Sequence, residues 1–173
     1  MGVELTLLLS NIQFYIQKKI PEIKWVKSEN IHLTISFLGN VSKNDIQKLI
    51  KLLDKISFHG SFNIYVEKTG IFQSNKLQKI FWLGIGNGIN KISALNQKIE
   101  KALSFNVKKK ADNYSPHITI GRLKTSHGKI DVLPFLKYVY SPIEFNVNAL
   151  YLYESLLHQN GAKYKVINKF PLN

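Results

Sequence analysis

Two nearly identical tetrapeptides constrain the fold of this chain more than any other feature of its sequence. They are His32-Leu33-Thr34-Ile35 and His117-Ile118-Thr119-Ile120, and both lie in apolar, β-branched runs that favour β-strands. Because the chain has only five histidines in 173 residues, a chance repeat of His-x-Thr inside two predicted strands is improbable. The repeat therefore indicates a shared functional role.

The spacing within each motif predicts a chemistry. On a β-strand, residues i and i+2 point to the same face, so His32 stands beside Thr34 and His117 beside Thr119. If the two strands lie near each other in related halves, one cleft receives two imidazoles and two hydroxyls. One imidazole can take a proton from water while the other protonates a departing ribose oxygen. The hydroxyls can donate hydrogen bonds to phosphate oxygens. This set suits the cleavage of a cyclic phosphodiester and requires no metal or cofactor.

Two other interpretations of the histidines explain the sequence less well. Half-buried histidines that are satisfied by neighbouring hydroxyls in a sheet would account for one His-x-Thr motif better than for two matched copies. A zinc site is disfavoured because each motif supplies one ligand, and no third histidine or carboxylate has suitable spacing. The chain has no cysteine, which excludes disulfides, thiolate catalysis and cysteine-ligated metals.

Basic residues outnumber acidic ones by 24 to 11, which gives a formal net charge of +13. Such a field attracts a phosphate-rich partner, and nucleic acid is the usual one. A compositional drift toward lysine, asparagine and isoleucine would explain the same charge without any function. No run approaches the roughly 20 apolar residues that span a bilayer, and no basic leader precedes the first apolar stretch. We therefore expect a cytoplasmic protein with no membrane association and no obligate protein partner.

Hydrophobic periodicity predicts interleaved helices and strands. The predicted helices cover 4–20, 42–56, 89–103 and a short segment in 130–138; the predicted strands cover 31–38, 62–67, 79–85, 117–123, 143–148, 150–153 and 164–170. Ser42–Asp45 resembles a capping box, and 108–113 is predicted to be a polar, basic loop. Since strands and helices do not strictly alternate, the pattern favours an α+β fold. No segment has the composition of a linker, so 1–173 is predicted to form a single domain.

With these motifs the sequence resembles the 2H phosphoesterases, specifically the RNA 2′,3′-cyclic phosphodiesterases, also called 2′,5′ RNA ligases. The resemblance rests on Trp25–Gly39 and Ser115–Arg122, and it extends to Phe81–Gly84, Leu150–Ser155 and Tyr164–Phe170. It implies a bilobal α+β fold with pseudo-twofold symmetry. In that fold, each of two antiparallel-sheet lobes with outer helices contributes one His-x-Thr motif to a central cleft.

The resemblance also implies roles for five residues. His32 would donate a proton, His117 would accept one, and Thr34, Thr119 and Arg122 would bind phosphate. Strict alternation places Arg122 on the face opposite His117, so a strand end or a bulge at Gly121 must turn it inward. The implied reaction is hydrolysis of a 2′,3′-cyclic phosphate at an RNA or nucleotide end, with RNA ligation as a further activity.

Two further functions stay open: an RNA- or nucleotide-binding module with little turnover, and a phosphodiesterase for a small cyclic-phosphate metabolite. The family begins with a strand before its first helix. Here either Val3–Leu9 supplies a shortened strand or that strand is absent, which would favour the binding module. The intact histidines, threonines and arginine favour the enzyme. Trp25, Tyr114 and Phe72 could stack a base, although core packing is the commoner role of such aromatics.

Overall fold

The computed structural model describes residues 2–56, 60–75, 78–103, 114–124, 130–158 and 161–172. Within these ranges the helices are α1 (Val3–Gln17), α2 (Lys43–Asp54), α3 (Ile89–Leu103) and α4 (Leu133–Leu136), with a 3₁₀ turn at Ser28–Asn30. The strands are β1 (Lys24–Trp25), β2 (Phe62–Asn75), β3 (Gln78–Ile85), β4 (His117–Lys124), β5 (Ile143–Val147), β6 (Ala149–His158) and β7 (Gly161–Pro171). The predicted basic loop at 108–113 lies outside the described residues.

The strands form two sheets. The larger has the order β1-β4-β3-β2-β5, and β6 and β7 pair with each other in a second, two-stranded sheet. The pairs β1–β4, β4–β3, β3–β2 and β6–β7 are all antiparallel. Antiparallel strands combined with helices confirm the predicted α+β class.

Backbone contacts divide the chain into two compact units. The first contains Met1–Leu33, Tyr65–Asn87 and His117–Phe145, and the second contains Thr34–Ile64, Gly88–Pro116 and Asn146–Asn173. In the core of the first unit, Phe81 and Phe135 are fully buried and their ring centroids lie 5.0 Å apart, edge to face. The second unit has its own apolar core, in which Leu53, Ile99 and Phe170 are buried.

The helices agree with the predictions except at their ends. Helix α1 ends at Gln17 instead of residue 20, and the Gln17 side chain donates a 2.7 Å hydrogen bond to the Pro21 carbonyl in the turn that follows. Since Val3–Leu9 is helical, the alternative that this segment forms a shortened strand is wrong. None of the helices in the described ranges has the length and hydropathy that crossing a membrane requires.

The predicted capping box exists only in part. Ser42 occupies the N-cap position of α2, but its side chain bonds no backbone amide. Its hydroxyl instead donates a 2.6 Å hydrogen bond to the Asp45 carboxylate. This bond, together with the nearby Lys48, lowers the pKa of Asp45.

Among the residues that the structure describes, the predicted strand around the first motif forms one bridge, at Leu33. Beyond it, side chains take the place of a neighbouring strand. The Tyr114 hydroxyl donates to the Thr34 carbonyl at 2.9 Å, and the Asn96 amide donates to the Ile35 carbonyl at 2.7 Å. Because these donors satisfy backbone acceptors that a strand would otherwise pair, the prediction of a continuous strand here is wrong.

Strand β2 is much longer than the predicted strand at 62–67. Glu67 pairs with Gly84 and Thr69 pairs with Leu83, so Lys68 is an unpaired extra residue, with a positive φ of 66°. A bulge of this kind interrupts the alternation on which sequence-based strand prediction depends. The strand therefore continues past the point where its sequence pattern ends.

Candidate functional site

A β-bulge interrupts β4 directly after the second motif. Trp82 of β3 pairs with Thr119, whereas the preceding residue, Phe81, pairs with Gly121. Ile120 is therefore an extra residue on β4, and its side chain is fully buried. One extra residue reverses the alternation of every side chain beyond it.

This reversal brings Arg122 to the sheet face that carries the second motif. The β3 partners of His117, Thr119 and Arg122 are residues 84, 82 and 80. Alternate residues of a regular strand point to one face, and directly opposite residues share a face. All three side chains therefore lie on one side of the sheet, which we call the motif face. Of the two alternatives that the sequence left open, a strand end or a bulge at Gly121, the structure has the bulge, one residue earlier.

A single bridge places His32 on the same face. Leu33 pairs antiparallel with Ile118, which lies between His117 and Thr119 and so points away from the motif face. The neighbours of a bridged residue point to the other side, so His32 points to the motif face. In the antiparallel register it lies opposite Thr119.

A hydrogen bond to a local turn fixes the tautomer of the His32 ring. Its Nδ1 lies 2.7 Å from the carbonyl oxygen of Asn30, the last residue of the 3₁₀ turn. Because a carbonyl can only accept, Nδ1 carries a hydrogen whether the ring is neutral or charged. The proton that His32 gains or loses is therefore the one on Nε2.

The His117 ring lies against two aromatic side chains of the motif face. The Phe72 ring meets it edge-on, with centroids 4.8 Å apart, and the Trp82 ring is 6.3 Å away. Phe72 and Trp82 also contact each other, at 5.0 Å. Packing of this kind restricts the orientations that the imidazole can adopt. For Phe72 the sequence left base stacking and core packing open; in the structure its ring packs against the imidazole of His117.

Trp82 can adopt this position because its partner on β2 is a glycine. Gly70 pairs with Trp82, and a Cβ atom at Gly70 would overlap the indole ring. A Cβ at Gly84 would also lie 3.2 Å from the same ring. A glycine inside a strand often marks such a close approach. Sequence reasoning missed both Gly70 and Trp82, because their pairing depends on a register that the Lys68 bulge shifts.

The predicted site residues differ in exposure. His32, Thr34, His117 and Thr119 are partly buried, whereas Arg122 is exposed. The first unit contains both histidines together with Thr119 and Arg122, and Thr34 is the first residue of the second unit. In the part of the chain that the structure describes, no three histidine, aspartate or glutamate side chains cluster closely enough to hold a metal ion.

Two further basic residues of the motif face were not predicted as site residues. Lys24 of β1 pairs with Arg122, and Lys124 lies two residues beyond Arg122 on β4. Both side chains are exposed. A two-residue edge strand and a bulge leave no periodic signal, so sequence reasoning could not assign these lysines to the face of His117.

The chain matches the family model described as LigT like phosphoesterase. The match covers residues 7–82 and 84–164, and it includes both His-x-Thr motifs and Arg122.

Its curated relatives include two bacterial proteins named RNA 2′,3′-cyclic phosphodiesterase. The one from Aquifex aeolicus is 32% identical over 155 residues, which cover 86% of this chain and 81% of that protein. The one from Thermotoga maritima is 33% identical over 144 residues, which cover 83% of this chain and 76% of that protein.

Solved structures share the fold. The protein TT0787 of Thermus thermophilus superposes with a TM-score of 0.75 at 21% identity, covering 99% of this chain and 93% of that one. Escherichia coli LigT complexed with 3′-AMP gives a TM-score of 0.70 at 20% identity, covering 95% and 91%. At this identity the likeness concerns the fold alone. The family-model match and the two relatives show that this chain belongs to the LigT-like phosphoesterase family, the 2H phosphoesterases that its paired motifs predicted.

Proposed function

We propose that this protein hydrolyses 2′,3′-cyclic phosphates at RNA or nucleotide ends to 2′-phosphates. The observation that supports this most directly is the position of His32 and His117 on one sheet face with Thr119 and Arg122. The names of the relatives support the substrate, since this chain aligns with them over most of its length. Both units would serve this one reaction, so 1–173 would act as a single domain.

In the proposed reaction, His117 accepts a proton from water as the water oxygen attacks phosphorus. The bond between phosphorus and the ribose 3′-oxygen breaks, and His32 gives that oxygen a proton from Nε2. The hydrogen bond from Nδ1 to the Asn30 carbonyl suits this donor role, because it holds Nε2 as the exchanging nitrogen. Each proton transfer of this kind contributes about 10²- to 10⁴-fold in rate. No step is assigned to a metal or a cofactor.

The phosphate oxygens carry the negative charge during this reaction. We assign Thr34 and Thr119 as hydroxyl donors to these oxygens and Arg122 as a charged donor, because preorganised donors stabilise developing charge most effectively. The planar guanidinium can bind two oxygens through two parallel N–H donors, a fixed fork geometry that a lysine ammonium does not have. Arg122 is the sole arginine of the sequence.

The test is hydrolysis of a nucleoside 2′,3′-cyclic phosphate, with the position of the product phosphate determined by NMR. His32→Ala and His117→Ala should each lower kcat by at least about 10²-fold, with an unchanged circular dichroism spectrum. The double variant should be little worse than either single variant, since the two histidines act as a unit. His158→Ala, which lies outside both motifs, is the matched control. Near-wild-type turnover by either motif variant would refute the mechanism.

The same assay separates the other functions. A binding module would retain nucleotide affinity without turnover, and a metabolite phosphodiesterase would prefer a small cyclic phosphate to an RNA end. In ligation of RNA ends through a 2′,5′ linkage, the 5′-hydroxyl of a second RNA would attack phosphorus in place of water, and the same bond to the ribose 3′-oxygen would break. Action in the cytoplasm stays a prediction from the sequence.

A further inference from the structure

Three cationic side chains form a row on the motif face, beyond the bulge. Arg122 and Lys124 are alternate residues of β4, and Lys24 lies opposite Arg122 on β1. All three side chains are exposed. We call Arg122, Lys124 and Lys24 the basic row. It begins directly after Thr119 and runs along the outer half of β4, away from His117.

The bulge at Ile120 is what makes this row continuous with the motif. Without the extra residue, Arg122 and Lys124 would point to the opposite face, where their β4 neighbour Leu123 is fully buried. With it, the cations follow Thr119 on one face. Alternate residues of a strand are spaced by about 7 Å and neighbouring strands by about 5 Å, so the row presents charge at intervals comparable with one nucleotide step.

The described neighbours of the basic row do not neutralise its charge. The β3 positions that share the face with the outer half of β4 are Gln78 and Ile80, which carry no charge. Within the described ranges, neither Lys24 nor Lys124 forms an ion pair with a carboxylate. An ordinary solvated strand face mixes both signs of charge, whereas the described charged residues on this side of β1 and of the outer half of β4 are all cationic. A carboxylate of the motif face, Glu67, lies on β2 opposite Gly84, at the His117 end of the face.

We propose that Lys24 and Lys124 bind the internal phosphodiester groups of a single RNA strand, on the 5′ side of its cyclic-phosphate end. This inference rests on the proposed function. The cyclic phosphate is the 3′ end of its strand, so the only covalently attached phosphates lie on the 5′ side. A 2′,3′-cyclic phosphate also requires a ribose 2′-oxygen, so the strand is RNA and not DNA. The row thus gives this site a preference for RNA ends over free nucleotides.

The experiment compares two substrates, cytidine 2′,3′-cyclic phosphate and a tetraribonucleotide that ends in a 2′,3′-cyclic phosphate. The test variant is Lys24→Gln/Lys124→Gln, which removes both charges and keeps much of the side-chain length. The matched control is Lys51→Gln/Lys55→Gln, which removes two exposed charges at and just beyond the end of α2. Values of KM and kcat are measured for each protein over a range of salt concentrations.

Each phosphate contact to a single strand contributes about 0.7 to the slope of log affinity against log salt, so the test variant should lose about 1.4 from this slope. Between roughly 50 and 200 mM salt, its tetranucleotide KM should therefore rise about sevenfold less than that of the wild type. At low salt its KM for the tetranucleotide should exceed the wild-type value, while kcat/KM for the mononucleotide stays within about twofold. The control variant should keep the wild-type slope.

An unchanged tetranucleotide slope in the test variant would overturn the inference. So would an equal loss on both substrates, which would mean that the lysines shape the reaction centre itself. If the wild type hydrolyses neither substrate, the proposed function fails. The basic row is then tested by fluorescence anisotropy with a tetraribonucleotide that ends in a 2′-phosphate, using the same variants and the same expected difference in slope.

Discussion

The hydroxyl of Tyr114 donates a hydrogen bond of 2.9 Å to the carbonyl oxygen of Thr34. Since Tyr114 lies three residues before His117, this bond joins the chain that leads into the second motif to the backbone of the first. Burial raises the pKa of the Tyr114 hydroxyl, so the group stays protonated, and a donor, well above neutral pH.

Replacing Tyr114 by phenylalanine removes the hydrogen bond that holds the Thr34 backbone in place. We expect Tyr114→Phe to lower the free energy of unfolding by about 1 kcal/mol, the usual net value of one such hydrogen bond. If Thr34 binds phosphate as proposed, the KM for a cyclic nucleotide should rise while kcat changes less. Urea denaturation and steady-state kinetics measure the two effects.

Tyr140→Phe is the matched control for this prediction. The Tyr140 hydroxyl donates a 3.0 Å hydrogen bond to the Lys68 carbonyl, and burial raises its pKa too. This variant should lose a similar amount of stability with no change in KM. A KM effect that is equal in both variants would show that the Tyr114 bond acts on stability alone.

A methyl group at Gly70 should disturb His117 at a distance. The added methyl group of Gly70→Ala would overlap the Trp82 ring and displace it. Overpacking of this kind lowers the free energy of unfolding by about 1–3 kcal/mol. Because Trp82 and Phe72 both contact the His117 ring, kcat should fall and the tryptophan emission should shift.

The compensating variant for this prediction replaces the Trp82 indole by a smaller aromatic ring. Gly70→Ala/Trp82→Phe should recover part of the lost stability, because a smaller side chain leaves room for the new methyl group. A Gly70→Ala protein that is destabilised but has wild-type kcat would show that the glycine matters for folding and not for the orientation of His117.

The pH dependence should assign the two histidines individually. In the proposed mechanism the acceptor must be neutral to take a proton and the donor must be charged to give one, so protonation of the acceptor limits activity at low pH and deprotonation of the donor limits it at high pH. The wild-type profile of kcat/KM should therefore be bell-shaped. The residual activity of His117→Ala should lack the acid limb, and that of His32→Ala should lack the alkaline limb. The reverse pattern would exchange the two roles.

Removal of metal ions should not affect turnover, because the proposed steps use only imidazoles, hydroxyls and a guanidinium. After exhaustive EDTA treatment and gel filtration, kcat should equal the untreated value. Loss of activity that added zinc or manganese restores would replace the proposed route with a metal-assisted one.

Sequence reasoning worked where local pattern and structure agree. Helices α2 and α3 follow their apolar stripes, and the second motif lies on a strand as its β-branched residues predicted. It also identified the geometric difficulty at Arg122, because the parity of a strand can be counted along the chain. It failed where the partner is distant in sequence. Nothing near Thr34 indicates that Tyr114 satisfies its carbonyl, and nothing near Lys24 indicates its pairing with Arg122.

The bulge at Ile120 determines which face of the sheet each later side chain of β4 points to. Removing that single residue would move every later side chain of β4 to the opposite face of the sheet. Arg122 and Lys124 would then point into the core, and the fully buried Leu123 would point to solvent. Ile120 and Gly121 therefore form a unit that has to be transferred together when this strand is grafted or redesigned. A relative that lacks the extra residue can keep the same surface only by moving its cations by one position along the strand.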